Sequence, residues 1–150
     1  NLITFMSRKL PQHTSLVANY LKNNLPRNWM LKNIHQLSEK ETYSILKKSK
    51  IFLAFSSFEG LPLPPVEAAL AGNYVIGYTG EGGDEYWKKP IFTRINSGDI
   101  KHFVKSINEK VKFLKKNKKF PKKNFINLKN KFSSENEKKN IIKFLKFIPK

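Results

Sequence analysis

Cysteine is absent from the chain, which excludes disulfides and thiolate metal sites and fits a reducing compartment. Arginine is nearly absent: Arg8, Arg27 and Arg94 stand against 26 lysines. Proteins that read nucleic acid favour arginine for its planar fork of donors. The formal net charge of +18 is therefore poor evidence for such a partner, and no nucleic acid is expected. Lysine in this excess, beside abundant Asn, Ile and Phe, looks more like the codon bias of an AT-rich genome. No apolar run approaches the roughly 18–20 residues of a membrane-spanning helix, and no signal-peptide pattern opens the chain. His13, His35 and His102 lie far apart in sequence; without cysteine or clustered acids they suggest no metal site.

The residues present are those of a folded domain. A chain of 150 residues with 39% hydrophobic residues and 12 Phe is long and apolar enough for a real core. It begins "NLITFMSRK", apolar almost at once and with no initiator Met, so we expect a piece of something longer. The charge is uneven. Residues 101–150 carry 17 Lys against Glu109, Glu135 and Glu137, a net of +14, whereas residues 1–100 carry 12 basic and 8 acidic groups, a net of +4.

Apolar runs at 2–6 (LITFM), 29–34 (WMLKNI), 51–55 (IFLAF), 74–78 (YVIGY) and 91–95 (IFTRI) read as strands. Between them, Leu16, Val17, Tyr20 and Leu21 have helical spacing. Ser38 and Glu41 form a capping box, and residues 64–71 form a short helix with Pro at its start and Gly72 at its end. A long helix is expected from about Asp99, then a Lys-rich helical segment over about 118–150 whose Phe residues face the core. Continuously apolar strands alternating with helices predict a Rossmann-like α/β domain, a parallel sheet covered on both faces. Loops 7–13, 35–38, 56–63 and 79–85 each follow a strand, so all open on one sheet edge, where such folds bind ligands.

One stretch, "SSFEGLPLPPVEAALAG" (56–72), holds Glu59 and Glu67 eight positions apart around three prolines. Glu67 is expected in the first turn of the short helix, where the helix dipole alone would favour it. Glu59, in a loop before Gly60, gains nothing obvious from the fold. A paired-carboxylate hydrolase is conceivable, but sequence spacing does not fix the carboxyl separation such an enzyme needs. The pair offers two acceptors for hydroxyls flanking a helix N-terminus suited to a phosphate. Hydroxyl, phosphate, hydroxyl is the pattern of a nucleotide sugar. By contrast "GEGGDEY" (80–86) is neither a G-x-G-x-x-G nor a P-loop, and its Gly82 and Gly83 are expected to pass close to an acceptor.

Ser56, Glu59, Gly60, Leu63, Pro64, Glu67, Ala68 and Gly72 resemble the E-x7-E signature of retaining glycosyltransferases of the GT-B fold, family 4 or group 1 type. The likeness runs over residues 1 to about 115. It implies one half of a GT-B fold, the C-terminal donor-binding domain over 1–150, with an N-terminal acceptor domain outside this chain. It implies an enzyme, a hexosyltransferase that is inactive as an isolated half. By the resemblance, Arg8 and Lys9 hold the diphosphate and act with Glu59 in catalysis. Ser56, Gly60, Leu61, Leu63 and Glu67 would bind the donor, Glu67 through the ribose hydroxyls. The donor is a nucleoside-diphosphate sugar and no separate cofactor is expected. No D-x-D occurs in the sequence, so the expected transfer is metal-independent. An ordinary surface role competes for Lys9 among so many lysines, and solvent or packing is the readier explanation of His13 and His35. The chain departs from the family pattern at Pro62, where Gly is usual; proline lacks an N–H and fixes φ, so one backbone contact to the donor is lost or moved. The expected partners are a nucleotide sugar, an acceptor glycan or lipid-linked glycan, and an anionic membrane touched peripherally. The expected location is cytoplasmic, at the membrane's inner face. The competing class is a basic module whose Lys-rich end docks on an anionic membrane or nucleic acid.

Overall fold

A computed structural model describes residues 1–116 and 120–147. In chain order the elements are β1 (Leu2–Phe5), α1 (Pro11–Asn24), β2 (Met30–Asn33), α2 (Glu39–Lys48), β3 (Ile51–Glu59), α3 (Leu63–Leu70), β4 (Tyr74–Glu81), β5 (Phe92–Arg94), α4 (Ile100–Lys116), α5 (Lys122–Lys131) and α6 (Ser134–Leu145). The five strands form one sheet in the order β2-β1-β3-β4-β5, with every neighbouring pair parallel. The fold is Rossmann-like α/β, as the strand-helix alternation predicts.

Side chains alternate across a strand, so β3 feeds two cores. Ile51, Leu53 and Phe55 join Ile3, Phe5, Ile76 and Tyr78 beneath α1 and α4, where Val17, Leu21, Phe103 and Ile107 are buried. Phe52 and Ala54 join Val75 and Phe92 beneath α2, α3 and α5, which contribute Leu46, Val66, Ala68, Ala69 and Leu128. That is why "IFLAF" is apolar at every position: the strand has no solvent face. β2, at the sheet edge, is mostly exposed and tolerates Lys32. The capping box forms, Ser38 accepting from the Glu41 amide while the Glu41 carboxylate accepts from the Ser38 amide at 2.9 Å.

Four expectations are corrected. α1 begins at Pro11, inside the expected 7–13 loop, with Leu10 left-handed before it (φ 47°); proline's fixed φ suits a first helical position. β3 continues through Glu59 and β4 through Glu81, pairing Glu59 with Glu81 after a register shift beyond Ser56. The two supposed loops are thus tied by a bulged ladder, because backbone pairing does not require the apolar side chains by which the strands were recognised. α3 starts at Leu63 with Pro62 as its cap and has no acidic residue in its first turn. Glu67 sits beyond that turn, and the helix dipole does not account for it. Lastly, the Lys-rich segment folds as α5 and α6, but its aromatics divide. Phe120, Phe125 and Phe132 pack on the core, whereas Phe144, on an α6 that buries none of its residues, and Phe147 just beyond that helix are exposed. Positions 118–119 and 148–150 of that segment lie outside the described residues. Among the described residues no helix is long and apolar enough to cross a membrane.

Candidate functional site

β1 and β3 are adjacent, yet the chain leaves β1 through α1 toward β2 and leaves β3 through α3 toward β4. The loops after the two strands diverge, and open α/β sheets bind ligands at such a switch point. A cleft lies there, of about 60 Å³, lined by Met6, Arg8, Lys9, Ser56, Glu59 and Pro64 among others. It is far below the several hundred Å³ of a complete small-molecule pocket. Two roomier cavities, about 680 Å³ beside Leu16, Tyr20 and Lys105 and about 520 Å³ beside Asn1, Lys50 and Gly72, lie away from this edge. The small cleft is distinguished from them by its place at the switch point and its charged lining.

Within the cleft the Lys9 ammonium bonds the Glu59 carboxylate at 2.6 Å, with the two side chains 38% and 20% exposed. The first residues after β1 carry the cation, and the end of β3 carries the anion. Lys9 is thus half-buried and paired, a contact that an ordinary surface salt bridge would also make. Arg8 beside it is exposed and has no hydrogen bond or ion pair among the described residues, which leaves its whole donor fork available. Ser56 is buried at the base. Of the expected site residues, the cleft thus gathers Arg8, Lys9, Ser56 and Glu59. Gly60, Leu61, Leu63 and Glu67 do not line it; Leu61 and Leu63 are exposed on the loop and first turn of α3, and Glu67 is exposed further along that helix. The backbone at Gly60 is open, since a Cβ built there would meet nothing within 4 Å. His35 is exposed and outside the cleft, and His13 stacks edge-on against Tyr78 at 5.7 Å on the other face of the sheet.

A brace lies beneath the 59–62 loop that no sequence motif marks. Gly82 packs under the loop, where a Cβ would come within 1.8 Å of the Gly60 carbonyl oxygen. Its amide donates to the Glu59 carbonyl at 3.1 Å. Tyr86 donates its buried hydroxyl to the Pro62 carbonyl at 2.9 Å. Burial pushes the Tyr86 phenol well up, with the Glu59 and Glu85 carboxylates adding to the shift, so it remains a donor across the working pH range. Pro62 has no N–H to give, but its carbonyl is the anchor of the loop. The paired glycines of "EGGDEY" were the available signal; their neighbour across the ladder was not readable.

No protein-family model matches the chain. Over 37 residues it is 51% identical to "Putative glycosyltransferase 41" of Sulfolobus islandicus filamentous virus (isolate Iceland/Hveragerdi), a stretch that takes in 25% of this chain and 11% of the viral protein. The chain is locally similar to a glycosyltransferase.

Proposed function

We propose that the chain is the donor-binding half of a retaining, metal-independent glycosyltransferase of the GT-B fold, family 4 type. It would move a hexose from a nucleoside-diphosphate sugar to a glycan or lipid-linked glycan. The observation that carries this reading is the meeting of Arg8, Lys9 and Glu59 in one cleft at the switch point, immediately before α3. The local similarity to a viral protein named as a glycosyltransferase supports the same class. An N-terminal half outside residues 1–150 would hold most of the acceptor, and the chain by itself would not turn over.

Glycosyl transfer builds negative charge on the departing diphosphate. Fixed cations contribute most as that charge appears, which is how they lower the barrier rather than merely bind the ground state. Arg8 supplies a free fork for two phosphate oxygens. Lys9 is held by Glu59 in the free chain, so donor entry exchanges partners: the ammonium turns to phosphate, and the carboxylate is freed to accept sugar hydroxyls. Gly60, Leu61 and Leu63 would present backbone to the sugar and distal phosphate, with Ser56 at the base. Glu67, on the exposed side of α3, would accept from the ribose.

Titration of a nucleoside diphosphate and its hexose conjugate against single variants tests the roles. Glu67→Ala should weaken both ligands, because both contain ribose; Glu59→Ala should weaken chiefly the conjugate. Loss of a charged hydrogen bond costs about 1.5–3 kcal/mol, roughly tenfold to a hundredfold in affinity. Equal losses for both ligands in both variants would remove this assignment.

A further inference from the structure

A second concavity opens on the same sheet edge, across β3 from the cleft. The ladder between β4 and β5 ends at Gly77 and Arg94. Beyond it the two strands diverge around a cup of about 270 Å³, lined by Ser57, Thr79, Asn96 and Ser97 with Phe58 and Arg94 on its wall. Ser56 lines both the cup and the cleft, so a ligand in one abuts a ligand in the other.

Three features describe what would fill it. Phe58 is 85% exposed, the most exposed of the large apolar side chains among the described residues, and it stands on the irregular stretch between Ser56 and Glu59; bulges of this kind re-aim side chains beside sites. Ser57, Asn96 and Ser97 have no side-chain hydrogen bond among the described residues, and each can donate and accept. The one cation on the wall, Arg94, is bonded to Asp84 at 2.8 Å, and Glu81, which also lines the cup, adds a carboxylate that accepts from hydroxyls and repels anions. An uncharged ligand with an apolar face and many hydroxyls meets all three conditions. A phosphate does not, because the one cation is already paired.

The geometry points to the cup as the subsite for a sugar ring of the acceptor, stacked on Phe58 with its hydroxyls on Ser57, Asn96 and Ser97. The identification as acceptor rests on the donor reading above. A donor sugar remains tethered to the diphosphate in the cleft, whereas the cup offers an untethered ring a place one residue away from it.

Saturation-transfer NMR on the full chain tests this, with methyl glycosides of glucose, galactose, mannose and N-acetylglucosamine as probes and uridine as control. At least one glycoside should bind, with or without UDP, and uridine should not displace it. Phe58→Ala should weaken that glycoside about three- to tenfold, the scale of one aromatic contact. Asn96→Ala should weaken it as well, while both variants keep the wild-type melting temperature and the wild-type response to nucleoside diphosphates. No glycoside signal, a signal unchanged in Phe58→Ala, or displacement by uridine would overturn the assignment. The two readings fail separately. Phe58-dependent glycoside binding without any response to a nucleoside diphosphate would support the sugar site and remove the donor site; nucleoside diphosphate binding without glycoside would do the reverse.

Discussion

Tyr86 and Pro62 illustrate how single residues set up this edge of the molecule. The hydroxyl of Tyr86 is the donor that holds the buried Pro62 carbonyl, and Pro62 in turn caps α3. Removing a buried donor leaves the carbonyl without a partner, which costs about 1–3 kcal/mol. Tyr86→Phe should therefore lower the melting temperature, and, if the loop it steadies faces the sugar as proposed, it should weaken a nucleotide sugar more than the free nucleotide. An unchanged melting temperature would mean that this bond contributes nothing. At this scale the sequence was half legible. The residue types of the cleft drew notice because Arg is scarce and because Glu59, read as a loop residue before Gly60, had no structural partner visible in the sequence; in the fold it ends β3 and pairs with Lys9. The Lys9–Glu59 bond, the brace from Gly82 and Tyr86, and the free aromatic at Phe58 were not readable, since each joins residues 20 or more positions apart or depends on a bulge.

Elements were more legible, for a physical reason. Strands buried on both faces must be apolar throughout, and β1, β3 and β4 announce themselves; their C-terminal ends do not, because pairing there continues through polar Ser56–Glu59 and Thr79–Glu81. Helix starts are read from caps, and α2 has its full signature. Accepting from Ser38, first at its side chain and then at its amide, holds the Glu41 carboxyl below its ordinary 4.5. A carboxylate with a depressed folded-state pKa adds stability above its unfolded pKa, and this is lost as pH falls through the folded value. Glu41→Gln should therefore melt lower than wild type at neutral pH, and the gap should close as the pH is lowered below 4.5 through that depressed value. A gap that persists in acid would show that packing, and not the charge, is what the substitution removes. Where cap signals are weaker the starts shift, as at α1, which opens on Pro11, and at α3, where the proline run enters the helix and leaves Glu67 past its first turn.

Over the whole molecule the charge divides from the chemistry. The net of +14 sits in residues 101–150, while the cleft draws its residues from the first 65. Several of the C-terminal lysines have local duties: Lys110 lies 4.1 Å over the Tyr74 ring, and Lys131 pairs with Glu85 at 3.3 Å. Lys122, Lys123, Lys138 and Lys143 have no ion pair among the described residues, and together they form the test of the competing class. A surface lysine contributes up to about 1 kcal/mol toward an anionic bilayer, screened beyond a Debye length of about 8–10 Å. Changing these four to Gln should diminish salt-sensitive binding to phosphatidylserine vesicles and leave nucleotide binding intact. Loss of nucleotide binding with them would favour the basic module instead. The central claim is that the switch-point cleft receives a nucleoside diphosphate, and a thermal-shift panel of uridine, guanosine, adenosine and thymidine diphosphates tests it most directly. The account predicts that at least one raises the melting temperature, that magnesium or EDTA changes this little, and that Arg8→Ala abolishes most of it; a panel in which none does so, or a shift indifferent to Arg8, would contradict it.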